Sequence, residues 1–178
     1  LLWCSPTGDS SGTISIPILF MKCRDSKFKF ADVVPAKGVQ SYAFHRVCQN
    51  IRSLGHTRIV FKTDQEPSML ALSEAVKNGV KIDIVPEESS VGEHQSNGEI
   101  EAAVRVIQGQ VRTLKDNLEC RYGERLGKEH DIVPWLIRHA AQTLNRYEVG
   151  EDGQTVYERV KRRKFRRDVV ESGEGALH

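Results

Sequence analysis

Apolar positions change period along this chain, and each change marks an element. Ile14–Cys23 (ISIPILFMKC) and Lys27–Val34 (KFKFADVV) are apolar runs rich in β-branched and aromatic residues, separated only by the short RDS. They predict two strands joined as a hairpin. Pro17 suits a strand end or edge. Upstream, LLWC reads as the end of an earlier strand, followed by the turn cluster SPTGDSSGT. After a stop at PAKG the period becomes helical. VQSYAFHRVCQNIRSLG places Tyr42, Phe44, Val47, Ile51 and Leu54 on one stripe, with Gly55 as its stop. TRIVFKT is then a short strand. EPSMLALSEAVKNG is a helix with Pro67 in its first turn and Gly79 just past its end. VKIDIVP is another strand. A polar loop, EESSVGEHQS, leads into a long helix beginning near Asn97, with an apolar stripe at Ile100, Val104, Ile107, Val111, Leu114 and Leu118. Pro134 opens the last helix, PWLIRHAAQTLNRY.

This order predicts a mixed α/β fold without internal repeats. The first three strands are antiparallel through hairpins, whereas the later two require helical crossovers and are parallel. From Gly150 onward the chain is charged and glycine-containing and is expected to pack loosely. The expected division is a core over 1–149 and a basic tail over 150–178.

Composition narrows the picture. A chain of 178 residues holds one domain with a sizeable core, or a domain plus a tail. Hydrophobic residues at 39% and charged residues at 28% exclude a disordered polymer. The net charge of +2 says little, but RVKRRKFRR, from Arg159 to Arg167, concentrates basic charge near the C-terminus. The four cysteines, Cys4, Cys23, Cys48 and Cys120, lack CxxC spacing, which argues against a zinc ribbon and for buried, reduced thiols. Cys4 and Cys23 are candidates to face each other across a hairpin. An intracellular chain would keep them reduced. No apolar run approaches the roughly 20 residues that span a membrane. The start at LLWC reads like the inside of an element, without signal peptide or initiator Met, so a fragment of a longer protein is expected.

The candidate chemistry lies in carboxylates. Asp64 ends the strand TRIVFKT just before a helix, where open α/β sheets place their sites. The same position suits a helix-capping Asp. Glu101 lies near the start of the long helix, where a negative charge is favourable in any case. Two carboxylates brought to one end of the sheet would suit Mg2+, which takes a few carboxylates and keeps several waters. Glu99 and Glu101 stand about 200° apart around a helix, so both cannot serve one ion. Glu101, Arg105, Gln108, Arg112 and Lys115 form a polar line beside the apolar stripe. A DNA backbone along that line would meet Arg105, Arg112 and Lys115. A solvated face with a Glu101–Arg105 ion pair has the same pattern, and spacing alone favours the structural readings.

Three stretches carry a resemblance: KTDQEPSML around Asp64, SSVGEHQSNGEIEAAV around Glu101, and WLIRHAAQTLNRY with the downstream DGQTVYERV. In these the chain resembles the catalytic core of retroviral and retrotransposon integrases, within the RNase H-like, DDE-type polynucleotidyl transferases. The most specific piece is Gly98 followed three residues later by Glu101. The resemblance covers roughly Ile14 to Phe165. It implies an RNase H-like mixed five-stranded sheet flanked by helices, with the first strand truncated. It also implies two Mg2+ or Mn2+ ions held by two Asp and one Glu, acting in DNA integration by phosphodiester cleavage and strand transfer. Asp64 corresponds to the second Asp and Glu101 to the Glu, as catalytic and metal-binding residues. Arg105, Gln108, Arg112 and Lys115 correspond to the nucleic-acid-binding helix face. The implied partners are DNA, as element ends and target, and a homo-oligomer, with no membrane. The implied location is nuclear or cytoplasmic.

The family's first Asp has no counterpart. LLWC contains no acid, Asp9 and Asp25 fall in turns, and Asp32 lies on the third strand, away from the strand of Asp64. The Asp either lies upstream of Leu1 or has mutated. The two-ion site is expected only if that Asp is supplied. The alternative function is a decayed or domesticated integrase-like domain that only binds nucleic acid or a protein partner. An RNase H-like nuclease of other specificity is a third reading, disfavoured by SNGEIE. The family's amino-terminal zinc domain is not present in His45, Cys48 and His56, which lack its spacing.

Overall fold

The computed structural model describes residues 2–4, 16–88 and 94–166, with side chains over 16–87 and 98–166. The strands are β1 (Leu2–Cys4), β2 (Ile18–Lys22), β3 (Lys29–Val33), β4 (Arg58–Thr63) and β5 (Asp83–Glu88). The helices are α1 (Ser41–Leu54), α2 (Pro67–Gly79), α3 (His94–Tyr122), α4 (Ile132–Tyr147) and α5 (Val156–Lys161). β1, β2 and β3 pair antiparallel in that order, and β4 pairs with β5 in parallel.

The unbroken apolar run of β2 has a direct cause, because both of its faces are covered. Leu19 and Met21 pack with Val47 and Ile51 of α1 and Met69, Leu72 and Val76 of α2. Ile18 and Phe20, on the opposite side, pack with Val104 and Ile107 of α3 and Ile137 and Ala140 of α4. A strand sends alternate side chains to opposite faces, so one segment nucleates two cores. The first core continues to Phe61 of β4 and Ile84 of β5, which joins the two sheets through shared apolar contacts.

The expected single five-stranded sheet is present in two pieces. Among the described residues no backbone ladder joins β1 to β4. β1 has three residues and gives one edge to β2, leaving few N–H and C=O groups to extend a ladder on its other side. Its register also separates the two cysteines expected to meet. Cys4 is opposite Ile18, five positions from Cys23.

Element ends shift where packing overrides local signals. α1 stops as expected at Gly55, whose φ of 75° provides the left-handed cap. α2 starts at Pro67 but includes Gly79 rather than stopping before it. A Cβ at Gly79 would lie 2.3 Å from Cζ of Phe44, so the glycine lets α1 and α2 approach. Gly79→Ala is therefore expected to destabilise the protein by about 1–3 kcal/mol despite alanine's better helix propensity. Thermal denaturation checks this, and adding Phe44→Leu is expected to recover most of the loss. α3 begins at His94 rather than Asn97, so Ser96 and Asn97 lie within the helix. α4 begins two residues before Pro134. The proline costs nothing there, since the first amides of a helix lack intrahelical acceptors.

The segment after Gly150 is packed rather than loose over its described part. Val149 bridges Thr155, and Thr155 and Glu158 form a reciprocal capping box that starts α5. The ring of Phe165 meets Tyr147 and Tyr157 edge-on, with the Arg146 guanidinium 4.5 Å over it. Arg167 lies outside the described residues. Among the described residues no helix is long and apolar enough to cross a membrane.

Candidate functional site

Asp64 directly follows β4, after the buried Thr63. It is not the cap of α2. That position belongs to Glu66, which makes no side-chain capping bond. Asp64 instead accepts the amide of Gln65 on Oδ1 at 2.8 Å, leaving Oδ2 with no bond to a described residue. Glu66 is engaged with its own neighbours, Lys37 at 3.1 Å and Ser68 at 2.9 Å. Burial pushes its carboxyl up, but Ser68 and Lys37 outweigh that and hold it below its ordinary value.

Glu101 is exposed on α3, about two turns from the helix start at His94. The favourable field of a helix N-terminus fades within the first turn, so the dipole gives little reason for an acid there. Among the described residues no ion pair joins Glu101 to Arg105 either. Glu99, two positions earlier, joins α3 to the antiparallel sheet. It pairs with Lys22 at 3.3 Å and Arg24 at 3.4 Å, fastening α3 to the end of β2 and the following turn. The hydrogen bond from Lys22 is the main reason its carboxyl sits below the ordinary range.

The polar line of α3 stands against a buried side formed by Val104, Ile107 and Leu118. Arg105 and Arg112 are exposed, and Gln108 is half-buried. Lys115 is half-buried and turns to Glu119 at 3.5 Å, an i,i+4 pair that occupies it locally. The strongest basic positions on this line are therefore Arg105 and Arg112. They are seven residues apart on one helix side, a rise of about 10 Å.

A DDE-type two-ion centre needs three converging acids. Asp64 at the end of β4 and Glu101 on α3 are two candidates, and among the described residues no three His, Cys, Asp or Glu side chains gather into a metal-holding group. Asp9 lies outside the described residues. Among the described residues the donor set falls one acid short of the two-ion centre that the family resemblance implies. Asp32, the acid on β3, is unsuited because it is buried and fully engaged. Its Oδ1 accepts from Arg46 at 2.8 Å and Arg138 at 3.1 Å, and its Oδ2 from Asn50 at 2.9 Å. No linear motif announced that hub, nor the Lys22–Glu99 tether. The capping box that places α5 was legible as TVYE, a Thr with a Glu three residues on.

Comparison with solved structures assigns the fold. The catalytic core domain of BIV integrase matches with a TM-score of 0.57 at 19% identity, covering 86% of this chain and 91% of that one. The HTLV-2 integrase catalytic core domain, in complex with magnesium and in dimeric form, matches at 0.53 and 17% identity, covering 88% and 90%. A simian T-cell lymphotropic virus intasome in complex with a PP2A regulatory subunit matches at 0.56 and 10% identity, over 99% of this chain and 59% of that one. No family model and no curated protein matches the chain.

Proposed function

We propose that this chain, which has the fold of a retroviral integrase catalytic core, is a DNA-binding integrase-type core. In this reading α3 lies along the phosphate backbone, and Asp64 and Glu101 are the carboxylates of the reacting site. The observation that carries it is the face of α3. Glu101 is free of Arg105, and Arg105 and Arg112 are exposed beside the buried stripe. An exposed acid at the head of a basic row, without a helix-dipole or ion-pair reason, suits a site on a polyanion. Arg105 and Arg112 would bind and orient the backbone. The carboxylates of Asp64 and Glu101 would face the scissile phosphate.

Duplex binding followed across a salt series tests the interface. Arg105→Gln/Arg112→Gln is expected to lower the slope of log affinity against log salt by about 1.8, at about 0.9 per lost phosphate contact. An unchanged slope removes α3 from the interface. Strand transfer in Mg2+ or Mn2+ tests the carboxylates. Asp64→Asn and Glu101→Gln are each expected to abolish any such activity while leaving duplex affinity within a few-fold.

The lack of a third acid among the described residues favours a second reading, a core that binds DNA without cutting it. Salt-dependent binding without strand transfer in either metal would select it.

A further inference from the structure

Three segments remote in sequence are tied together beside the β2–β3 turn. Arg159 of α5 donates to the carbonyl of Ser26 in that turn at 3.5 Å. Lys161 donates to the carbonyl of Ser53 in the last turn of α1 at 2.9 Å. Cys23, at the start of the turn, meets Nε2 of His56 just beyond α1 at 3.8 Å. The chain then leaves α5 through Arg162, whose φ of 55° is a left-handed bend that non-glycine residues adopt only at a cost. Phe165 is seated between Tyr147 and Tyr157, under Arg146.

This anchoring orders a stretch of cations. Arg162, Arg163, Lys164 and Arg166 are all exposed around the seated Phe165. Lys27 in the turn and Arg52 in the last turn of α1 are exposed on the two segments to which α5 is bonded. Among the described residues no side-chain hydrogen bond or ion pair occupies these six. The nearby acids hydrogen-bond other groups, although Lys164 lies within electrostatic reach of Glu158 and Lys27 within that of Glu99. Asp152 pairs with Arg159, and the same guanidinium holds its carboxyl well below the usual range, at about 2. Glu158 closes the capping box.

From this juxtaposition we infer a second polyanion-binding face, formed by Lys27, Arg52 and the docked segment Arg162–Arg166, that takes the phosphate backbone of duplex DNA. The inference rests on the DNA-binding reading above and adds a contact surface to it. Two features favour a duplex over a protein groove that reads a linear basic peptide. The cations come from three separated segments, which a linear reader cannot use together. The basic stretch is also pinned through its central aromatic residue, so it is presented as part of a folded surface. A duplex backbone, with one charge per about 1.7 Å of axis, matches a spread array of cations without needing a particular sequence.

Fluorescence anisotropy of the whole chain with a short random-sequence duplex, over a salt series, tests this. Lys27→Gln/Arg52→Gln and Arg163→Gln/Lys164→Gln are each expected to lower the salt slope by about 1.8. Their effects on log affinity are expected to add to those of Arg105→Gln/Arg112→Gln, since the two sets share no side chain. Phe165→Ala keeps every cation and is expected to weaken binding several-fold, with circular dichroism reporting the retained fold. An unchanged slope in Lys27→Gln/Arg52→Gln overturns the composite face. A peptide of residues 159–166 that binds the duplex as tightly as the chain, with Phe165→Ala silent, also overturns it in favour of linear recognition. Loss confined to the α3 variant sinks this inference and leaves the α3 reading standing; loss confined to the present face does the reverse.

Discussion

Asp32→Ala is expected to destabilise the fold by about 3–5 kcal/mol, the usual cost of removing one member of a buried ion pair. Asp32 is only 2% exposed and sits on β3 between α1 and α4. One oxygen takes both Nε and Nη2 of Arg46, at 3.0 and 2.8 Å, and Nε of Arg138 at 3.1 Å. The other takes the amide of Asn50 at 2.9 Å. Without the carboxylate, two partly exposed guanidiniums lose their shared partner and are left close together. Burial acts to lower the pKa of Arg138, but the charge of Asp32 and the Tyr42 hydroxyl outweigh it and raise it above its ordinary value. Urea denaturation measures the loss. Asp32→Asn, which keeps the shape and an acceptor, is expected to cost less than Asp32→Ala. A double-mutant cycle with Arg138→Ala is expected to show a coupling of about 1–3 kcal/mol. A loss below about 1 kcal/mol in Asp32→Ala would mean that the arginines relax into water and the hub holds nothing together.

Asn145→Leu is the second large effect. Asn145 is 1% exposed, and its amide closes on the edge of β3. Its Oδ1 accepts the amide of Lys29 at 2.9 Å, and its Nδ2 donates to the carbonyl of Lys29 at 2.7 Å. One side chain thus does what a neighbouring strand would do for that residue. Leucine leaves both buried backbone groups unpaired, at about 1–3 kcal/mol each. It also uncovers a strand edge, so increased self-association is expected alongside lower stability. Denaturation coupled with sedimentation separates the two. An Asn145→Leu protein of unchanged stability would show that water replaces the amide at little cost. The salt bridge of Lys29 with Glu148 would survive in either case and is no substitute, since it satisfies the side chain and not the backbone.

Much of the fold was legible in the sequence because local rules governed it. The β-branched and aromatic apolar run of β2, the glycine stop of α1, Pro67 at the head of α2 and the helical stripe of α3 were each legible within one element. Misplaced boundaries had non-local causes. Gly79 lies within α2, where its missing side chain leaves room for Phe44 of α1. The stretch after Gly150 looked loose because charge dominated it, although a capping box and a single aromatic anchor dock it. At the candidate site the sequence placed Asp64 at the end of β4 and Glu101 on the polar line of α3. It could not assign Glu99 to Lys22 and Arg24, or Lys115 to Glu119, because an ion pair depends on which side chains meet.

Hydrophobic period, turn residues and the position of acids at element ends by themselves determined a mixed α/β chain with antiparallel then parallel strands and two candidate carboxylates. Those signals are set by repeats of two and about 3.6 residues within a single element. The tertiary structure alone decided which charges are structural and which face solvent. Asp32 and Glu99 are used to join elements, while Arg105, Arg112 and the cations around Phe165 are presented outward. A charge acquires its role from the groups within a few ångströms of it, and in this chain those groups come from segments as far apart as Lys29 and Glu148.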